Sequence, residues 1–177
     1  MKPHLRKCRV IPPEQNGEFA ARMEDIIELY HRPYDPETPL ICMDEQSRQL
    51  IRETRQFIPA GPGRPERTDY EYERNGTANI FMFSEPLTGQ RHVSVTERRT
   101  ASDQAEEIRQ PAVVRYPEAR LIRLVCDCLN THKAGSLYEV FSPEQAGRIA
   151  ERLEIHYTPK HGGRQNIAEI ELSALTV

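Results

Sequence analysis

A short apolar run that ends on an acid is the sequence feature that most restricts how this chain can fold. Residues 121–126 read LIRLVC, and Asp127 follows them at the start of a polar segment. A short apolar run bounded by polar residues is typical of a buried strand. Burying the carboxylate at its end is costly unless that group is hydrogen-bonded, paired or metal-bound. The sequence therefore predicts a sheet that presents Asp127 at one edge, together with partners for it.

A second apolar run repeats this arrangement. Residues 40–43 read LICM and lead into Asp44 and Glu45. We predict a first strand that ends at Asp44 and a fourth strand that ends at Asp127. If the two strands are parallel neighbours, both Asp side chains leave the sheet at the same edge. Glu45 is expected either to lie beside the site or to be solvated.

Other patterns in the first half of the chain predict a helix, a loop and a hairpin. The helix starts at residue 16, and its apolar stripe serves either the main core or a partner face: Phe19, Met23, Ile26, Ile27 and Tyr30. Residues 52–69 combine Pro, Gly and Arg, which indicates a mobile loop that is either merely solvated or contacts phosphates. Residues 79–83 and 92–95 are expected to pair as a hairpin.

The second half predicts three helices. Ser102 is expected to cap the first of them, which Pro111 interrupts or kinks. Ser142 caps the second, because a proline and a glutamine follow it at the favoured positions. The third starts near Asn166, after a last short strand at residues 155–157.

This order of elements predicts the fold class. A hairpin followed by alternating helices and strands indicates an α/β fold with a mixed five-stranded sheet and helices on both faces. The length of 177 residues suits one such domain. We place this domain at 39–177, after a basic linker and an amphipathic helix at 1–38.

The composition disfavours several classes of protein. The four cysteines, at positions 8, 42, 126 and 128, lack metal-ligand spacing, so buried structural cysteines are expected rather than a zinc site. No apolar run approaches the roughly 18 residues of a membrane span and no signal peptide opens the chain, which predicts a cytoplasmic protein. The net charge of −3 shows no basic surplus, yet basic residues cluster locally, so it neither favours nor excludes nucleic-acid binding.

A third acid, Glu169, lies in the predicted last helix, which could cover the edge where Asp44 and Asp127 emerge. Three carboxylates gathered this closely repel one another, and one of them would stay protonated at neutral pH. Mg²⁺ removes this repulsion because it prefers hard oxygen ligands and keeps positions open for water and phosphate. Two such ions about 4 Å apart support phosphodiester chemistry. From spacing alone, such a site is only suggested.

Several segments resemble the catalytic domain of bacterial insertion-sequence transposases of the mariner-like superfamily. They are YHRPYD at 30–35, CMDE at 42–45, DYEYERNGTAN at 69–79, DCLNTH at 127–132, YTPKHG at 157–162 and NIAEIELS at 166–173. The likeness covers nearly the whole chain, and these motifs together are more specific than any single acid. The resemblance implies a ribonuclease-H-like fold with an Asp-Asp-Glu triad. It also implies metal-dependent cleavage of DNA at transposon ends and joining of the freed 3′-OH to a target.

By position, the resemblance implies that Asp44 and Asp127 are the first two triad acids and ligands of the metal. The third is Glu169, whereas its rival Glu171 lies roughly 200° further around the helix. The implied cofactors are two Mg²⁺ ions, with Mn²⁺ as a substitute, and the implied partner is double-stranded DNA. A homodimer on DNA is one arrangement that the resemblance allows, and the sequence leaves the oligomeric state open. Residues implied to orient the site or to contact DNA are Asn130, His132, Lys160, His161 and Asn166.

The chain also departs from the family pattern. Cys128 stands where the family has Asn, and residues 163–165, GRQ, replace a Ser-Trp-Leu run. The helix-turn-helix modules that precede the family's catalytic domain are expected to be absent and the last helix to be truncated. An inactive DNA- or partner-binding remnant is therefore the alternative to an active transposase. A nucleotide-binding module is disfavoured because no Gly-rich phosphate loop follows the first strand.

Overall fold

The computed structural model describes residues 17–56, 58–67, 71–127, 135–159 and 165–175. Within these ranges the strands are β1 (Leu40–Glu53), β2 (Tyr72–Glu85), β3 (Gln90–Thr96), β4 (Ile122–Cys126) and β5 (Leu153–Tyr157). The helices are α1 (Gly17–His31), α2 (Ala101–Arg109), α3 (Gly135–Val140), α4 (Pro143–Glu151) and α5 (Ile167–Ala174). None of these helices is long and apolar enough to cross a lipid bilayer.

The five strands form one sheet in the order β3-β2-β1-β4-β5. The first three pair antiparallel, whereas β1 pairs parallel with β4 and β4 with β5. The apolar start of β1, Leu40–Met43, is buried throughout, as expected of a central strand covered on both faces. The predicted mixed five-stranded sheet is confirmed.

Helices cover the sheet on both faces, because successive residues of a strand point to opposite sides. Ile41 and Met43 of β1 belong to a core that also contains buried residues of α2, α3 and α4. Leu40 and Cys42 point the other way, into a core shared with residues of α1 and α5, which include Ile26, Leu29, Ala168 and Leu172. By the same alternation, Asp44 lies on the side of α1 and α5.

The first strand is longer than predicted, and Asp44 does not end it. Its parallel pairing with β4 stops at Cys42, but its antiparallel pairing with β2 continues to Glu53. The segment at 52–69 was predicted to be a loop. Part of it is paired, since β1 extends into it and isolated bridges join Ile58 to Arg67 and Gly61 to Arg64. The sequence pattern missed this extension because its side chains are largely exposed, so apolar and polar residues do not alternate.

The structure corrects two predictions about helices and adds one helix that was not predicted. Thr100 rather than Ser102 caps α2, because its hydroxyl accepts from Asp103 N and the Asp103 carboxylate accepts from Thr100 N, a capping box. In α1, the predicted stripe is buried or partly buried except for Ile27, which is 42% exposed, and Leu29 is buried in its place. The short helix α3 was not predicted, since six residues are too few to show helical periodicity.

Pro111 acts as predicted, because regular α-helical hydrogen bonding ends at this point. The chain continues α2 as a π-helical segment, Gln110–Arg115, in which Tyr116 N donates to Pro111 O at 3.2 Å. Two further predictions are confirmed at the helix ends. Ser142 caps α4 by accepting from Gln145 N, and the last helix begins directly after Asn166.

Candidate active site

Two parallel strands bring the predicted Asp residues to one edge of the sheet. Cys42 of β1 lies opposite Val125 of β4 in the parallel register. Asp44 and Asp127 each follow two residues later, so they leave this pair of strands side by side. Asp127 comes directly after Cys126, the last residue of β4, as the sequence predicted. Both residues are partly buried.

The start of α5 is fixed to the strand that carries Asp44. Asn166 is 1% exposed, and its Oδ1 caps the helix by accepting from Ala168 N at 3.1 Å. Its Nδ2 donates to Met43 O at 2.8 Å, and Met43 directly precedes Asp44. Glu169 lies in the first turn of α5, where its N–H donates to Asn166 O at 3.1 Å. One buried amide therefore joins the first turn of α5 to the backbone beside Asp44.

The pKa of Asp44 is raised by its burial and by the charges of the acids around it. Burial is the main cause that raises this pKa to about 7, and a hydrogen bond from Glu45 N opposes it. The negative charges of Glu45, Asp127 and Glu169 raise the pKa further. Two residues far apart in sequence therefore lie close enough to Asp44 to oppose its ionisation.

The two other acids of these segments have their own partners. Glu45 follows Asp44 in the strand and so points to the opposite face, where its side chain is 2% exposed and lies 3.5 Å from Arg99. Glu45 is thus buried rather than solvated. Glu171 forms a 2.6 Å ion pair with Arg91 of β3, on a different side of α5 from Glu169.

Comparison with known proteins identifies the family. Residues 39–176 match the family described as "DDE superfamily endonuclease". This chain belongs to the DDE superfamily endonucleases. No curated protein matches it.

Solved structures confirm the ribonuclease-H-like fold of this DDE endonuclease. It is similar to the Mos1 mariner paired end complex with Mn, with a TM-score of 0.54 and 15% identity over 99% of this chain and 53% of that chain. The Mos1 Strand Transfer Complex gives a TM-score of 0.57 and 13% identity, over 97% of this chain and 51% of the other. The chain therefore spans about half the length of the solved structures it resembles.

The acids of the DDE endonuclease fit a hard divalent cation. Asp44, Asp127 and Glu169 offer carboxylate oxygens, the ligands that Mg²⁺ and Mn²⁺ prefer, and their mutual repulsion is what such a cation would offset. Within the described residues, no group of three or more His, Cys, Asp or Glu side chains already stands at metal-binding spacing. The ligand types of these three residues therefore suit a divalent cation. In this structure their carboxylates do not stand as close together as the ligands of a bound ion.

Several predicted site residues lie outside the described part of the DDE endonuclease: Asn130, His132, Lys160 and His161, together with Cys128 and residues 163–164. Of the residues predicted to orient the site, Asn166 is described, and its contacts hold α5 against β1.

The sequence missed one contact near the site. The hydroxyl of Tyr30 donates to Gln165 O, directly before Asn166. In the sequence Tyr30 was assigned to an apolar stripe. Tyr30 is also the first residue of the YHRPYD motif, and this motif is the sequence signal that could have indicated a further role.

Proposed function

We propose that this chain is the catalytic domain of a DNA transposase. It cleaves phosphodiester bonds at transposon ends and joins the freed 3′-OH to target DNA. The observation that carries this proposal is the hydrogen bond from Asn166 to Met43 O, which holds the helix of Glu169 against the strand of Asp44, at the edge where β4 ends before Asp127. An Asp-Asp-Glu set is what a DDE endonuclease requires, and these acids come from β1, the end of β4 and α5.

In this proposal Asp44, Asp127 and Glu169 bind two Mg²⁺ ions, which Mn²⁺ can replace. Bound there, the ions would activate the attacking hydroxyl and stabilise the leaving oxygen. The backbone of Asp44 is held by antiparallel pairing with Met82 of β2, and Asp127 directly follows the last residue of β4. Asn166 fixes the turn that carries Glu169, and partial burial of Asp44 keeps bulk water from screening the charges.

The proposed partner is double-stranded DNA, bound by a homodimer at transposon ends. The similar Mos1 structures are a paired end complex and a strand transfer complex, which supports a DNA partner. Exposed arginines at the end of β1 and in the segment between β1 and β2 are suited to contact backbone phosphates: Arg52, Arg55, Arg64 and Arg67.

Metal-dependent cleavage of DNA tests this proposal. The protein is incubated with supercoiled DNA and with duplexes of candidate end sequences, in Mg²⁺, in Mn²⁺ and in EDTA. We expect nicking in either metal and none in EDTA. Asp127→Asn, which keeps the size of the side chain but removes its charge, is expected to lose activity on the order of 10³-fold. Strong nicking by this variant would contradict the assignment.

A second measurement, of Mg²⁺ binding, distinguishes an active transposase from the inactive alternative. Calorimetry measures Mg²⁺ binding by the wild-type protein and by Asp127→Asn under the same conditions. Binding that requires Asp127 but is accompanied by no cleavage of any DNA substrate would favour a remnant that keeps the fold and binds DNA or a partner.

A further inference from the structure

We propose that Tyr30 is a positioning residue for the proposed metal site, and that α1 is therefore part of the catalytic unit. This inference rests on the proposed function, since it concerns the placement of Glu169 relative to Asp44. Tyr30 lies before residues 39–176, which carry the family match.

The hydroxyl of Tyr30 joins two segments that are far apart in sequence. It donates to Gln165 O at 2.6 Å, and it lies 3.3 Å from Cys42 Sγ. Because its single proton goes to the carbonyl, the Cys42 thiol is left to donate to the phenol oxygen. Burial raises the pKa of Tyr30, so its hydroxyl keeps its proton and can donate at physiological pH.

The two segments joined by this hydroxyl lead directly to two of the proposed ligands. Cys42 is two residues before Asp44, and Gln165 is the residue before Asn166, which caps the helix of Glu169. Tyr30 thus contributes a second link between β1 and α5, beside the bond from Asn166 to Met43 O.

Helix α1 is held firmly enough to act as the support for this link. Ile26 and Leu29, at 0% and 1% exposure, pack in the core that contains Cys42 and Ala168. One turn before Tyr30, Asp25 accepts from His156 Nδ1 of β5 at 2.7 Å. With both links in place, the start of α5 cannot rotate about Asn166 alone, which fixes the direction of Glu169.

The test compares Tyr30→Phe with Tyr116→Phe. Each variant keeps its ring and loses one hydroxyl hydrogen bond, but the hydroxyl of Tyr116 donates to Glu85 on the other face of the sheet, at 2.8 Å. We expect Tyr30→Phe to weaken Mg²⁺ binding about tenfold by calorimetry, as loss of a group that orients a ligand does. Cleavage at saturating Mg²⁺ should stay near the wild-type rate. Tyr116→Phe should bind Mg²⁺ like the wild type.

Amide hydrogen exchange without metal gives a second, independent measurement. In Tyr30→Phe, the Ala168 and Glu169 amides should exchange about tenfold faster than in the wild type or in Tyr116→Phe, because the first turn of α5 opens more easily. Unchanged exchange at these amides, or an equal effect of Tyr116→Phe, overturns the inference. A wild-type protein that binds no Mg²⁺ would refute the proposed metal site instead, and exchange alone would then decide the role of Tyr30.

Discussion

Replacing Glu169 by Gln is expected to reduce DNA cleavage on the order of 10³-fold, because it removes one of the three proposed metal ligands. The chain offers a matched control two positions away. Glu171→Gln makes the same chemical change in the same helix, but Glu171 pairs with Arg91 of β3 and is not among the charges that raise the pKa of Asp44. Such a surface pair contributes about 1 kcal/mol at most, so Glu171→Gln should keep the wild-type cleavage rate within a few-fold.

The measurement is the initial rate of nicking by wild type, Glu169→Gln and Glu171→Gln at equal protein and Mg²⁺ concentrations. Circular dichroism checks that all three proteins are folded. The reverse result, with activity lost in Glu171→Gln and kept in Glu169→Gln, would make Glu171 the third acid and would contradict the site described above.

The second large effect concerns stability rather than activity. Asp44→Asn is expected to stabilise the metal-free protein at pH 8. The pKa of Asp44 is about 7 in the folded protein, against 3.8 for the same group in an ordinary setting. Between these values the folded protein holds a proton that the unfolded chain has released, so stability falls as the pH rises from about 4 to about 7. Above pH 7 the folded protein has lost all of the stability that depends on this proton, on the order of 4 kcal/mol at most.

Urea denaturation at pH 4 and at pH 8 measures this effect. Asparagine removes the charge and keeps the oxygen that accepts from Glu45 N, so Asp44→Asn should raise the free energy of unfolding by about 2–4 kcal/mol at pH 8 and change it little at pH 4. Millimolar Mg²⁺ should stabilise the wild type but not the variant.

Asp103→Asn is the matched control for this experiment. Hydrogen bonds from Thr100 hold the pKa of Asp103 below its usual range, so its charge stabilises α2 and its loss should lower stability at pH 8. If Asp44→Asn also lowers stability at pH 8, burial and the neighbouring charges do not disfavour the ionised Asp44 carboxylate as described.

The expected gain in stability has a functional meaning. An Asp44 carboxylate that weakens the metal-free fold is what is expected of a group whose role is chemical, because functional sites commonly carry a cost in stability. A bound divalent cation would reverse the penalty, because it favours the ionised form that burial disfavours. Folding stability and metal binding are therefore expected to be coupled through this one side chain.

The sequence predicted the elements that place the two Asp residues, since both follow apolar runs whose partners are also apolar. It misjudged the end of β1, because the pairing that carries this strand beyond Asp44 comes from β2 and leaves no apolar pattern. It also misjudged the cap of α2, because Ser102 suits a cap by residue type and only the contact with Asp103 in the folded chain identifies Thr100 as the cap. Short-range patterns therefore located the strands but not all of their ends.

Contacts between distant segments were beyond sequence reasoning. The bond from Tyr30 to Gln165 O spans 135 residues, and that from Asn166 to Met43 O spans 123. No spacing pattern in the sequence predicts either bond, because each depends on how helices pack against the sheet. The raised pKa of Asp44 could not be predicted from the sequence either, because only folding buries this carboxylate and brings Asp127 and Glu169 near it.

Anomalous diffraction from crystals soaked in Mn²⁺ tests the central claim most directly. Manganese carries an anomalous signal, so its position is found without assuming any ligand. The account predicts Mn²⁺ between Asp44, Asp127 and Glu169, with carboxylate oxygens at about 2.1 Å and no site at Glu171. Mn²⁺ bound elsewhere while these three carboxylates make no contact with it would contradict the account.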